Sequence, residues 1–523
     1  MQNENTIYSP SSIPDFNYDQ DLGHPGQAPF TRGIYPDMYQ KKKFTMRQLT
    51  GFASPKETNN RMKYMLKNGA TGLSILFDFP TIQMYDSDDL LSKGHVGMSG
   101  VCIDSIEDMK ILFQDIDIEN ISISLVTHYP SNTAILFSMF LAMAEEQKIP
   151  WNKLRGSIQN DIIMEEVVRC GNEFISPKNC FRIQCDNIEF VLNHLPKWNP
   201  ITLNGYNLRE SGTSAITEMA IAIVNGITTI EEMIKRGYKA DQITKNFAFF
   251  WSISNDFFEE ISRLRAVRRL WYNIIKNIFK IDDDQSLRMK CHVQTSGISL
   301  VRQEPLNNII RATIQALSAT LGGVQSLHVD SYDEAYSVPT EESSLISLRT
   351  QEIIQEETFI TDIIDPLGGS YYIENLTNSI EKQILNEINE INKSGGFISL
   401  IETGKLHEAI ASYSYQRQKD IDSGKIKIVA YNKYQSDSKT SKIKTLEYSE
   451  LTENEQCQKL KILRTQRDNI HVNQSLKKLG KACKQNENIF QYCLACASAR
   501  CTEGEMFKVF KKSFGLWNPP ISY

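Results

Sequence analysis

Residues 199–215 read NPITLNGYNLRESGTSA. The segment opens like a buried strand, Ile201-Thr202-Leu203, and closes on Asn204, Tyr206, Asn207, Arg209 and Glu210. Amide, phenol, guanidinium and carboxylate groups at one strand end offer both donors and acceptors. Such a crowd points to a site for a large polar ligand. No generic catalytic signature accompanies it: a phosphate loop, a dinucleotide glycine fingerprint and a nucleophile elbow are all absent from the sequence. Cys493, Cys496 and Cys501 lie in CLACASARC, where the first pair has zinc-like spacing. A structural zinc site takes four ligands, and no histidine is near. Core cysteines on a helix are the favoured reading, and no residue is assigned to a metal. KKLGKACK (477–484) reads as a helix with a basic face.

The elements that must hold these groups show an alternating rhythm from about residue 44. Eight β-like runs recur, at 45–51, 72–79, 121–127, 155–161, 181–186, 201–207, 287–296 and 323–331. Amphipathic helical stretches such as 131–147 and 306–322 lie between them. Eight βα units predict an α/β chain folded as a (β/α)8 TIM barrel, with an open doubly wound sheet as the alternative. Barrel interiors are usually filled by Val, Ile and Leu. Here Ser74, Ser157, Gln159, Thr202, Asn204, Gln294 and Ser296 fall in the runs. Buried polar groups cost free energy unless paired, so something polar fills this interior, or the groups pair with one another or with water. Three regions follow: an N-terminal extended arm over 1–43, a barrel over 44–385, and a helical and linker region over 386–523.

Totals bound the function. The chain has 523 residues, 41% of them hydrophobic and 23% charged, which is ordinary for a globular protein. A net charge of −6 argues against a general nucleic-acid binder. The start, MQNENTIYSP, lacks a signal peptide's basic and apolar regions. The apolar run AILFSMFLAMA (134–144) is too short for a bilayer and reads as a buried helix. A cytoplasmic protein without membrane or nucleic-acid partners is expected, its ten cysteines free thiols.

Several motifs occur together in one order: QNDI (159–162) with Arg169, HVQTSGISL (292–300), QSLHVDSYDEA (325–335), DPLGGSYYIE (365–374) and ARCTEGE (499–505). Over roughly residues 30–515 the chain resembles the large subunit of methylmalonyl-CoA mutase and related adenosylcobalamin-dependent acyl-CoA mutases. The resemblance implies a barrel whose axis holds the pantetheine arm of coenzyme A, and a radical rearrangement of an acyl-CoA. It implies coenzyme A or cofactor contacts at Tyr35, Met38, Lys42, Thr45, Arg47, Ser74, Glu210, Gln325, Asp330 and Glu334. Gln159, Tyr206, Asn207 and Gln294 match the acyl pocket. Arg169 matches the arginine that grips the free carboxylate of methylmalonyl-CoA.

Departures from the family pattern are as informative. Gly205-Tyr206-Asn207 stands where the family has a histidine third, and Arg47-Gln48-Leu49 where it has a tyrosine third. TIQMYDSD (81–88) lacks a histidine and an arginine of the family's version, and LVTHYPSN (125–132) differs from its counterpart. Asn246 replaces a coenzyme A arginine, Ile298 a tryptophan, and Asp330 an asparagine. None of the eight histidines stands in the family's cobalt-ligating Asp-x-His-x-x-Gly pattern. Adenosylcobalamin is therefore expected to be held mainly by a partner chain, either a small cobalamin-binding subunit or a full-length mutase, in a dimer or hetero-oligomer. Two readings stay open: the substrate-binding subunit of an acyl-CoA mutase, and a non-catalytic mutase-like subunit that stabilises an active chain.

Overall fold

The computed structural model describes residues 6–164, 167, 175–436, 443–518 and 520. Nine parallel strands form the sheet: β1 Thr45–Thr50, β2 Gly72–Leu76, β3 Ser122–Val126, β4 Gly156–Ile158, β5 Trp198–Asn199, β6 Ile201–Asn204, β7 Phe247–Ile253, β8 Lys290–Thr295 and β9 Ser326–His328. Their order is β5-β4-β3-β2-β1-β9-β8-β7-β6. β5 and β6 are consecutive in the chain and separated only by Pro200, which has no N–H to give a ladder. Before the proline, Asn199 pairs with Ser157 of β4; after it, Ile201 pairs with Phe247 of β7. The Thr202 N–H donates to the Gln159 carbonyl at 3.0 Å, and the Asn160 amide donates to the Pro200 carbonyl at 2.9 Å. An interrupted strand thus closes the ring, and the eight-stranded count of a TIM barrel results.

Two of the sequence assignments exchange places. FRIQCD (181–186) is not a strand; it lies inside the helix Pro177–His194. Buried Cys180, Ile183, Gln184, Asn187, Ile188 and Val191 recur at three- and four-residue intervals, and helical burial won over the local alternation. The missing strand is β7, FAFFWSI, every residue of which is buried. A continuous apolar run has no period to distinguish strand from helix.

Outward strand residues meet the helices. Those of β2–β5, such as Leu73, Ile123, Leu125, Ile158 and Trp198, share one hydrophobic cluster with Val472, Phe490, Cys493, Cys496, Cys501 and Phe510. Those of β1 and β6–β9, such as Met46, Ile201, Phe249, Val293 and Leu327, share another with Phe397, Ile401 and Ile410. The helix Pro130–Glu146 is buried through residue 144, as a helix apolar all round must be; Phe137 packs on both Trp198 and Phe490. Residues before β1 wrap the barrel in short turns, fixed by Arg268 donating to the carbonyls of Phe30 and Thr31 at 3.2 and 2.9 Å. Among the described residues no helix is long and apolar enough to cross a membrane.

Candidate functional site

Inward positions follow the strand period of two. Thr45, Arg47 and Leu49 point inward from β1, Ser74 and Leu76 from β2, Ser124 and Val126 from β3, and Ser157 from β4, with Gln159 just beyond it. Asn199 and Thr202 do so on β5 and β6, Ala248 and Phe250 on β7, Lys290, His292 and Gln294 on β8, and Ser326 and His328 on β9. Together they line one cavity of about 350 Å³. Register aligns Ser74, Ser124, Ser157 and Asn199 side by side across four strands, with Ser157 Oγ donating to Ser124 Oγ at 3.1 Å. Small hydroxyl side chains here leave a bore where a barrel usually has a packed layer.

The lining runs from strand starts to strand ends, so the cavity joins the two mouths. The N-terminal mouth is basic. Tyr35, Lys42, Thr45, Lys290 and Gln325 line it. The Arg288 guanidinium lies 5.8 Å from the Tyr35 ring centroid, and Lys290 Nζ donates to the Lys245 carbonyl at 2.6 Å. Burial, then Lys245 and Arg288, lowers the Lys290 pKa. Arg47 is 8% exposed and donates to the Leu73 carbonyl at 2.9 Å and to Ser122 Oγ at 2.6 Å. Burial lowers its pKa to about 10. Among the described residues no carboxylate pairs with it. A cation held this way favours an anionic ligand.

The C-terminal mouth is acidic. Glu210 accepts from Ser252 Oγ at 2.9 Å, Ser296 Oγ at 2.8 Å and the Ile298 N–H at 2.8 Å. Burial raises its pKa to about 7, against those donors. Burial also pushes Glu334 well above the carboxylate range, with Asp330, Asp333 and Glu210 adding repulsion. Asp330 Oδ1 accepts from Gln294 Nε2 at 2.8 Å and lies 3.2 Å from His328 Nε2. Its Oδ2 is buried and has no partner among the described residues.

Between the mouths stands the segment that opened the sequence analysis. Tyr206 stacks on Phe250, centroids 4.6 Å apart at 11°. Asp161 Oδ2 accepts the Asn204 N–H at 2.7 Å, and Asn204 Oδ1 accepts the Asn207 N–H at 3.0 Å. The amides of Asn204 and Asn207 both approach Met164 Sδ. Gln159 Oε1 is buried with no partner among the described residues and belongs to a residue that lines the bore. Burial, with Arg47 and His328 nearby, holds His292 well below its usual pKa, so it is a neutral ring, bonded through Nδ1 to Ser326 Oγ at 2.9 Å.

One cavity therefore collects Tyr35, Lys42, Thr45, Arg47, Ser74, Gln159, Tyr206, Asn207, Gln294, Gln325 and Glu334. Asp330 lies at an adjoining recess of the C-terminal mouth together with Leu49, His328, Glu334 and Tyr448. Glu210 braces that mouth from behind through Ser252 and Ser296. Met38 is not brought in: it is buried, its sulfur and methyl packing where a Cβ on Gly33 or Gly323 would sit. Arg169 lies outside the described residues. Sequence reasoning did not single out Lys290, His292, Phe250, Met164 or Ser124. Lys290, His292 and Gln294 alternate on one strand, and that polar stripe was the available signal.

The family sequence profile described as methylmalonyl-CoA mutase matches residues 2–516. The chain belongs to the methylmalonyl-CoA mutase family. Within it, the chain is 38% identical over 500 residues to the 2-hydroxyisobutanoyl-CoA mutase large subunit of Aquincola tertiaricarbonis, covering 95% of this chain and 88% of that one. It is 39% identical over 499 residues to methylmalonyl-CoA mutase of Escherichia coli, covering 95% and 69%. Identity to the human mitochondrial methylmalonyl-CoA mutase is 40% over 495 residues, covering 94% and 65%. The chain thus spans about two-thirds of the length of these last two family members.

Proposed function

We propose that this chain is the acyl-CoA-binding barrel of an adenosylcobalamin-dependent mutase that rearranges the carbon skeleton of an acyl-CoA. The observation that carries this reading is the bore, polar along its length, basic at one mouth and acidic at the other. Coenzyme A has a matching polarity: anionic phosphates, a long arm of amides and methylenes, and a thioester at the far end. Lys42, Lys290 and Arg47 suit the phosphates. The hydroxyls of Ser74, Ser124 and Ser157 and the Gln159 acceptor suit the amides. Tyr206, Asn207 and Gln294 then surround the acyl end. Asn207 can donate a hydrogen bond to a thioester oxygen but carries no acidic proton. A donor aimed at developing charge lowers a barrier without transferring a proton. Asn207 thus orients and polarises where the family's histidine could also give a proton.

The C-terminal mouth fits an adenosyl group. Asp330 Oδ2, buried and unpartnered among the described residues, offers an acceptor for a ribose hydroxyl. Glu334, which burial pushes toward the protonated form, offers a donor. The chemistry that adenosylcobalamin supplies when bound is radical hydrogen abstraction. This chain's residues bind and orient the acyl group and exclude water. We place the corrin mainly on a partner chain. The likeness to a relative named as a large subunit supports that arrangement, and a dimer or hetero-oligomer follows from it. Arg169, by its match to the family's carboxylate-binding arginine, favours an acyl group with a free carboxylate; Leu49 in place of tyrosine removes one hydrogen bond to it, about 0.5–1.5 kcal/mol.

The test is an isomerisation assay on the complex isolated from its host with adenosylcobalamin, comparing methylmalonyl-CoA with isobutyryl-CoA. Turnover is expected, with preference for the dicarboxylic substrate. No turnover in the wild type, with activity gained in Asn207→His/Leu49→Tyr, would instead favour the non-catalytic stabilising subunit. No binding of any acyl-CoA by calorimetry would sink both.

A further inference from the structure

On the face of the molecule formed by the C-terminal helices there is a second cavity, of about 490 Å³, unconnected with the bore. It runs between the helices Asn469–Lys484 and Glu503–Phe514. Its floor is Leu476, Gly480 and Val509, all half-buried, and its rim carries the exposed lysines Lys477, Lys481, Lys484 and Lys512. Lys477, Lys481 and Lys484 are spaced i, i+4, i+7, so they share one helix face. Among the described residues none of the four rim lysines has a carboxylate within ion-pair distance. Gly480 makes the groove: a Cβ there would sit 3.4 Å from Val509 Cγ1, and glycine leaves that space open.

Helix capping does not account for the charge. The two helices run parallel: Arg467 pairs with Glu505 near their starts, and Gly480 faces Val509 farther on. Their C-termini therefore lie together, and Lys481, Lys484 and Lys512 stand in the last turns. Two C-terminal dipoles supply about −0.5 charge each, roughly −1 in total, against four ammonium groups. On a chain of net charge −6 this is a concentrated local excess of positive charge. An apolar floor between basic rims is complementary to a helix with an apolar stripe edged by acids. The lysines, from 477 to 484, span about two turns of helix, roughly 10 Å, which is the length of a short helical anchor.

We infer that the groove between these two helices docks an acidic amphipathic helix of a partner protein. Apolar side chains of that helix enter over Gly480, and its carboxylates meet Lys477, Lys481, Lys484 and Lys512. The proposal is independent of the reaction in the barrel.

The test uses the full chain and a fluorescent helical peptide with Leu at i, i+3, i+7 and Glu flanking them, read by anisotropy. Saturable binding is expected, weakening as salt is raised because screening shortens the reach of each charge. Lys481→Glu/Lys484→Glu should weaken it roughly tenfold or more. Gly480→Leu should abolish it with all four lysines retained, since the floor is filled; circular dichroism checks that this variant is folded, and the lysine pair tests the idea if it is not. A peptide with Lys for Glu should not bind. The inference is overturned if the acidic peptide fails to bind, if charge reversal leaves its affinity unchanged, or if a single-stranded oligonucleotide binds the same groove as tightly, which would make it a general polyanion site.

Discussion

At the N-terminal mouth the bore is walled by Lys42, Lys290 and Arg47, none of which has a carboxylate partner among the described residues; Lys290 and Arg47 donate only to carbonyls and a hydroxyl. At the C-terminal mouth Glu210 is fixed by three donors, while Asp330 is held through Oδ1 alone and keeps Oδ2 free of any partner among the described residues. The first mouth carries cations with no anion of their own. The second gathers acids that burial pushes toward protonation, one of them braced by three donors. Behind it, Glu218 accepts the Ser252 N–H at 2.9 Å and pairs with Arg263 at 2.6 Å. Arg263 also pairs with Glu260, and all three are fully buried. TIM-barrel enzymes do their chemistry at the C-terminal face, and in this chain a fully buried ion-pair network stands behind that face.

The comparison breaks most visibly at Arg263. Arg263→Met leaves the buried Glu218 and Glu260 with only Arg209, 3.9 Å from Glu260, as a cation, at a cost of about 3–5 kcal/mol, measurable by urea unfolding; a loss below about 1 kcal/mol would mean that the network holds nothing. Next is Asn207→Ala: if the residue stands at the acyl end as proposed, it is expected to lower kcat by about 10²–10³-fold with a smaller change in KM. A change confined to KM would move Asn207 to the binding side of the comparison.

A pH series sharpens the contrast. The Glu210 carboxyl is raised from 4.5 to about 7 by burial. Its folded pKa is above its unfolded one, so its protonated form stabilises the fold at low pH. That contribution declines as pH rises from about 4.5 to about 7 and is flat above. Glu210→Gln removes the decline, so its stability relative to wild type should rise by about 3 kcal/mol across that window. Parallel curves for the two proteins would contradict this. The smallest effect is expected at the other mouth. Lys290→Gln should weaken acyl-CoA binding by about 1 kcal/mol, roughly fivefold, and reduce its salt dependence without altering kcat; calorimetry at two ionic strengths checks it.

Much of this was legible in the sequence, for uneven reasons. Serines and glutamines in β-like runs signalled a polar interior, because strand alternation exposes face identity directly. The helix Pro130–Glu146 was legible from its unbroken apolar run. β7 was not, since a strand buried on both faces carries no alternation, and FRIQCD imitated one from inside a helix. Of the residues that came from motif resemblance, most line the bore; Asp330 lies in the adjoining recess, Glu210 stands behind the mouth, Met38 turns into the core beside Gly33, and Arg169 lies outside the described residues. Lys290 and His292 went unnoticed because a polar stripe on one strand means little until the ring closes and gives it an inside.

Pro200 gives that ring a seam. The outward side chains of β2–β5 belong to one hydrophobic cluster and those of β1 and β6–β9 to the other, and the chain passes from one to the other between Trp198 and Ile201. Across that passage one backbone bond, Thr202 N–H to the Gln159 carbonyl, is joined by side-chain bonds from Asn160 to the Pro200 carbonyl, from Thr202 to the Ile158 carbonyl and from the Asn204 N–H to Asp161. A ligand lying along the bore would meet Ser124 and Ser157 on one side and Ala248 and His292 on the other. It would act as a rivet between two half-shells, and the strength of the joint would then depend on what the barrel carries as well as on its own strands.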